Sequence, residues 1–294
     1  MSYKEEQKKK QVKLIGNVID GHSYPHFLSN GQNNLYKASR TEVLKYFKNN
    51  GISWWHSTEP TPNTLSSQIS CLNHLFPICG NKKLVTKLAQ AVDKSITEVL
   101  PIPCDNTPLR YIAFEVVAHS DNFLNEGKPK RGALCTSIDA LIIAKRGNET
   151  CLIPIEWKYT ESDKQDKSNN KTRKDRYMGL INNSEQLKNF TDKKLLFKEP
   201  YYQLMRQTLW AEQIVEKEKV LWCCVNDFIH VHVVPNGNEA MRGKDDLILN
   251  KWKNEIIKDS NKYKLIDPEE LFKSLQGEEC CKEHIDYLRK RYWE

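Results

Sequence analysis

Thr136-Ser-Ile-Asp139-Ala-Leu-Ile-Ile143, followed after a short break by Leu152-Ile-Pro-Ile-Glu156-Trp-Lys158, is the stretch on which the reading of the fold turns. Both segments are apolar, and Arg146-Gly-Asn-Glu149 between them is a hairpin turn signal. They read as two strands, about Leu134 to Lys145 and about Thr150 to Tyr159. Side chains alternate along a strand, so Glu156 and Lys158 share one face while Ile155 and Trp157 take the other. With the turn at Gly147-Asn148, Asp139 falls roughly opposite Glu156. Two carboxylates and one ammonium thus converge at a sheet surface.

That grouping has a chemical use. Paired carboxylates repel unless a hard cation neutralises them, and Mg²⁺ prefers oxygen ligands while keeping several waters. Such an ion lowers the pKa of a bound water and draws charge from a phosphate oxygen. An adjacent lysine orients the attacking water and stabilises added negative charge. Glu115, upstream, is placed to complete the coordination or hold a second ion. Glu-x-Lys recurs at Glu6/Lys8 and Glu126/Lys128 in polar stretches, so the tripeptide alone carries no weight. At 156–158 the flanking residues are those of a buried strand, where charge is costly unless paired or metal-bound.

Working outward, helices are expected at Thr41 to Asn49, stopped by Asn50-Gly51, at Ser66 to Leu75, and at Lys82 to Val99. Arg110 to His119 reads as a short amphipathic helix carrying Glu115. Residues 161–200 read as a polar excursion without periodicity. A helix follows at Tyr201 to Val215, then strands at Val220 to Asn226 and Phe228 to Val234, and Lys251 to Glu294 looks helical. This order predicts an α/β protein with a mixed central sheet. Its expected parts are a mainly helical N-terminal region (1–107), a core (108–234) and a C-terminal helical segment (235–294).

The 294 residues suffice for one large domain or two modest ones. No apolar run approaches a membrane span, and the N-terminus lacks the apolar region of a secretory signal. Lysine and arginine number 45 against 38 acidic residues, a net charge of +7. That suits approach to a polyanion, and equally a solvated lysine-rich surface. The nine cysteines include no Cys-x-x-Cys, which points to reduced thiols and a cytoplasmic location. Cys280, Cys281 and His284 with His230 or His232 have poor spacing for zinc.

Asp139, sixteen intervening residues, then Glu156-Trp157-Lys158 after an apolar strand, with Glu115 upstream, resembles the PD-(D/E)xK nuclease superfamily. Ile-Glu-Trp-Lys-Tyr-Thr-Glu is similar to a restriction-endonuclease-like bacterial branch. Ser66-Ser-Gln68 and Pro200-Tyr-Tyr-Gln-Leu-Met-Arg-Gln207 resemble segments of that branch too. Ile138 stands where the motif has proline. The resemblance implies a restriction-endonuclease-like core. It implies Asp139 and Glu156 as metal ligands, the Trp157 carbonyl as a further one, and Lys158 as the catalytic lysine. It also implies Mg²⁺, or Mn²⁺ in its place, and DNA as substrate. A homodimer and a cognate methyltransferase are expected as further partners.

Gln203 and Gln207 lie one helical turn apart, on a face with Arg206 and Trp210, and the resemblance implies that a glutamine on this helix approaches the active site or the DNA. Lys164, Lys167, Lys171, Arg173, Lys174 and Arg176 could meet phosphates. Asp163, Asp166 and Asp175 among them favour a solvated loop in the free protein. His22, Tyr24 and His26 read as turn or core groups, and Trp54-Trp55 as packing. The expected activity is metal-dependent DNA cleavage of restriction type. Its rivals are an end- or structure-dependent repair nuclease and a non-catalytic nucleic-acid-binding protein.

Overall fold

The computed structural model describes residues 1–15, 25–54, 57–103, 109–117, 124–126, 135–161, 170–187, 190–216 and 224–294. Its helices are α1 (Tyr3–Ile15), α2 (Arg40–Asn49), α3 (Ser67–Leu75), α4 (Lys82–Val92), α5 (Asn170–Asn183) and α6 (Tyr201–Glu216), with shorter turns nearer the C-terminus. Its strands are β1 (Ile96–Val99), β2 (Ala113–Val116), β3 (Ile138–Arg146), β4 (Glu149–Trp157), β5 (Asp227–Phe228), β6 (His230–Val233) and β7 (Tyr263–Ile266).

The hairpin β3–β4 is the centre. Arg146 pairs with Glu149 across Gly147-Asn148, and the register runs without a break to Ala140↔Ile155. Gly147 takes φ +59, which a two-residue hairpin turn with glycine first requires. The sheet order is β1-β3-β4-β6-β7, with β2 also on β3 and β5 also on β4. Strands β1 to β4 pair antiparallel, while β5 and β6 join β4, and β7 joins β6, in parallel. Pro154 has no N–H to offer, and it falls between the residues that pair with β5 (Cys151, Leu152) and those that pair with β6 (Ile155 to Trp157).

Both faces of the hairpin are buried, hence its near-continuous apolar sequence. Ala140, Ile142, Ile153 and Ile155 pack with Phe47, Ile69, Leu72 and Leu88, from α2, α3 and α4. Leu141, Ile143 and Leu152 pack with Tyr177, Ile181, Leu204 and Trp210, from α5 and α6. The fold is thus mixed α/β, a central mixed sheet flanked by helices. Among the described residues no helix is long and apolar enough to cross a membrane.

Several expected elements change. Val92 ends α4; the Asp93 carboxylate accepts the Ser95 N–H and turns the chain, so Ile96 and Val99 pair with β3 instead of extending a helix. The segment expected as a helix at Arg110 to His119 instead contains strand β2 (Ala113–Val116), since pairing with β3 outweighs its helical spacing; residues 118–119 lie outside the described residues. The polar excursion contains α5, whose Tyr177 and Ile181, four apart, are buried. Cys224 to Asn226 are not strand, and pairing begins at Asp227; 220–223 lie outside the described residues. The C-terminal stretch contributes β7 besides helical turns.

Backbone conformation at two glycines should separate in a stability measurement. A Cβ at Gly147 or Gly179 meets nothing within 4 Å. Gly147→Ala is expected to cost about 1–2 kcal/mol because of the left-handed φ, whereas Gly179→Ala, inside α5, should add about 1 kcal/mol. Denaturant midpoints at unchanged m-value check both.

Candidate active site

Continuing the β3–β4 register by one pair sets Asp139 opposite Glu156, and the β2–β3 register sets Glu115 opposite Asp139. Three carboxylates thus come from three neighbouring strands at one level. The Trp157 N–H donates to Asp139 Oδ2 at 2.8 Å, and Oδ1 takes no hydrogen bond from any described residue. Glu156 is only 2 % exposed. Its Oε1 accepts from Lys158 Nζ and Gln203 Nε2, each at 2.5 Å, and its Oε2 accepts from Gln207 Nε2. Gln203 and Gln207 thus reach the candidate cluster through Glu156 itself.

Glu115 takes φ +51, a left-handed conformation uncommon for a side-chain-bearing residue. Gln68 Nε2 donates to its Oε1 at 2.6 Å and Ser137 Oγ to its Oε2 at 3.0 Å. Helix α3 carries Gln68 and opens on an N-cap, Ser66 Oγ, which accepts the Ile69 N–H. It also braces the end of β4: Ser67 Oγ accepts the Tyr159 N–H at 2.8 Å, and Ser70 Oγ accepts Trp157 Nε1–H at 3.1 Å. Ser137 and Glu161, whose carboxylate accepts the Tyr159 N–H at 2.9 Å, escape sequence reasoning. Both sit in polar flanks with no pattern of their own.

Electrostatics follow from this crowding. Burial, then the carboxylates of Glu156 and Glu115, push the Asp139 pKa well above its ordinary value, over the opposing effects of Lys158 and the Trp157 N–H. Burial works against the Lys158 charge, but Glu156, Glu161 and Asp139 outweigh it and raise its pKa. Burial and the same acidic group hold the Cys71 thiol of α3 protonated. The cluster is therefore short of positive charge. Among the described residues no three His, Cys, Asp or Glu side chains gather closely enough to hold an ion by themselves. Two carboxylates and a carbonyl, all hard oxygen donors, are nonetheless the set that Mg²⁺ or Mn²⁺ takes when waters and substrate phosphate fill the remaining positions.

The basic residues are placed differently from one another. Arg206 donates to Glu126 and to the Thr136 hydroxyl, both at 3.1 Å, and Glu126 also accepts from Tyr177 at 2.7 Å. Arg173 lies 3.7 Å over the Tyr202 ring and donates to the Phe197 carbonyl. Both guanidiniums are thus engaged inside the fold. Lys171 is exposed on α5, while Lys164 and Lys167 lie outside the described residues. Trp54 stacks on Phe47 with ring centroids 3.9 Å apart. Trp55, His22 and Tyr24 lie outside the described residues, and His284 Nε2 meets the Asn73 carbonyl at 2.8 Å.

The raised Asp139 pKa carries a stability consequence. Below about pH 4, the ordinary aspartate range, folded and unfolded chains both hold the proton. As pH rises the unfolded chain ionises first, so folding stability falls until the pH passes the folded-state pKa. Asp139→Asn removes this loss. In EDTA its Tm should exceed that of the parent by a margin that opens as pH rises from 4; a margin independent of pH would refute the repulsion.

A protein-family model described as "Restriction Endonuclease associating with ARP" matches residues 2–293. No curated protein and no solved structure matches the chain. Since the family match runs from one end of the chain to the other, the protein belongs to this restriction-endonuclease family.

Proposed function

We propose that the protein is a metal-dependent DNA endonuclease of the PD-(D/E)xK type, hydrolysing phosphodiester bonds. The observation that carries this reading is the level alignment of Asp139 and Glu156 on adjoining strands, with the Lys158 ammonium 2.5 Å from Glu156. Family membership supports the coarser statement, a restriction-type nuclease. Asp139, Glu156 and the Trp157 carbonyl would hold Mg²⁺ or Mn²⁺, with Glu115 in reserve. When bound, the ion would supply positive charge to the phosphate and acidify an attacking water.

The chain's own residues do the rest. Gln203 and Gln207 fix the Glu156 carboxylate, and the Trp157 amide fixes that of Asp139. Lys158, kept charged by its acidic neighbours, orients the attacking water and stabilises the extra negative charge of the transition state. Lys171, with Lys164, is the proposed track for the phosphate backbone, and ARP, named in the family description, is the proposed partner. A cytoplasmic site of action, a second copy of the chain and a cognate methyltransferase belong to the same reading.

Asp139→Ala, Glu156→Ala and Lys158→Ala should each slow cleavage at least about a thousandfold, some 4 kcal/mol of barrier. DNA binding without divalent metal should survive all three. Wild-type rates in all three variants would overturn the assignment. On plasmid, EDTA should stop cleavage and added Mg²⁺ restore it, and closed circles should be cut as readily as linear DNA. Intact circles beside degraded linear DNA would point to an end-dependent repair nuclease, and binding without cleavage to a non-catalytic module.

A further inference from the structure

Beside the acidic cluster the sheet carries a polar group that the proposed chemistry leaves unused. Parallel pairing aligns Glu156 of β4 with His232 of β6, and the Lys158 N–H donates to the Val233 carbonyl at 2.9 Å. Alternation decides which way His232 faces. Val231 and Val233 join Ile155 and Trp157 in one core, which leaves His232 on the face of Glu156 and Lys158. The imidazole is 2 % exposed. Its Nδ1 lies 3.1 Å from the Tyr263 hydroxyl, and among the described residues its Nε2 is buried without a hydrogen-bond partner.

A buried polar atom left unpaired is costly, so a lone Nε2 here calls for an occupant. Burial, reinforced by the positive charges of Lys158 and Arg242, keeps the ring neutral, with one nitrogen protonated. Burial likewise keeps the Tyr263 hydroxyl protonated. With the Lys158 charge on the same face of the sheet, though not hydrogen-bonded to the ring, the favourable tautomer is the one whose Nδ1–H donates to the Tyr263 oxygen and whose Nε2 presents a lone pair. An ammonium has three N–H donors, and among the described residues that of Lys158 has a single acceptor, Glu156 Oε1.

We propose that His232 is a positioning residue for Lys158, its Nε2 lone pair serving as the second acceptor that holds the ammonium in place when the Glu156 carboxylate is drawn into binding a cation. Tyr263 sets the tautomer that makes this acceptor available. The proposal rests on the nuclease reading for its catalytic consequence, and on the apo protein for its geometry.

The test has two arms. In metal-free protein, ¹⁵N NMR of the histidine ring should find His232 as the Nδ1–H tautomer, and on addition of Mg²⁺ its Nε2 resonance should shift in the wild type but not in Lys158→Ala. In cleavage assays His232→Leu should lower kcat about tenfold, the worth of one hydrogen bond, at unchanged KM for DNA. His232→Gln, which keeps an acceptor within similar reach, should recover most of the loss. On the Lys158→Ala background His232→Leu should cost nothing more. A protonated Nε2, or an equal loss on both backgrounds, overturns the proposal, since a packing role would not depend on Lys158. If the wild-type protein cuts no DNA, the nuclease reading falls, and the tautomer and its response to Lys158 still decide the placement of His232.

Discussion

The register of the β3–β4 hairpin is the constraint on which the cluster depends. A strand's side chains repeat every two residues, so a slip of one residue at the Gly147-Asn148 turn would carry Glu156 and Lys158 to the opposite face from Asp139. Seven consecutive cross-strand pairs, Ala140↔Ile155 to Arg146↔Glu149, hold the register. Burial of both faces makes any slip expensive, because it would exchange Ile153 and Ile155 with Leu152 and Glu156 between two filled cores.

Placing charge at the end of such a hairpin has its own cost, which the flanking helices offset. Glu156 is buried, and it is tolerated because Gln203 and Gln207 on α6 and Lys158 just past the end of β4 supply donors to both oxygens. Glu115 is met in the same way by Gln68 of α3 and by Ser137. Asp139 is met least, by one backbone amide, which does not outweigh the burial and the Glu156 and Glu115 carboxylates that raise its pKa. The residual repulsion is of the kind that a bound cation would relieve.

Charge elsewhere is used differently from what its position in the chain suggests. Arg206 looks like a residue on a DNA-facing helix, yet it is tied to Glu126, a carboxylate from a Glu-x-Lys that carried no weight by itself. Thr136, three residues before Asp139, and Tyr177 of α5 close the same network. This arrangement braces the entry to β3 against α5 and α6 and leaves Lys171 among the exposed cations.

Local pattern determined the hairpin, its turn, the facing of Glu156 and Lys158, the Ser66-capped helix and α6, because each rests on alternation or on capping within a dozen residues. The same local reasoning failed where a partner distant in sequence chose the conformation. Residues 96–99 and 113–116 become strands because the open flank of β3 needs pairing, and 263–266 because β6 does. The approach of Gln68 to Glu115, and of His232 to Glu156, joins segments that no periodicity links. Backbone hydrogen bonding across a sheet is non-local, so which strands meet, and which side chains they bring to one level, was settled only by the tertiary structure.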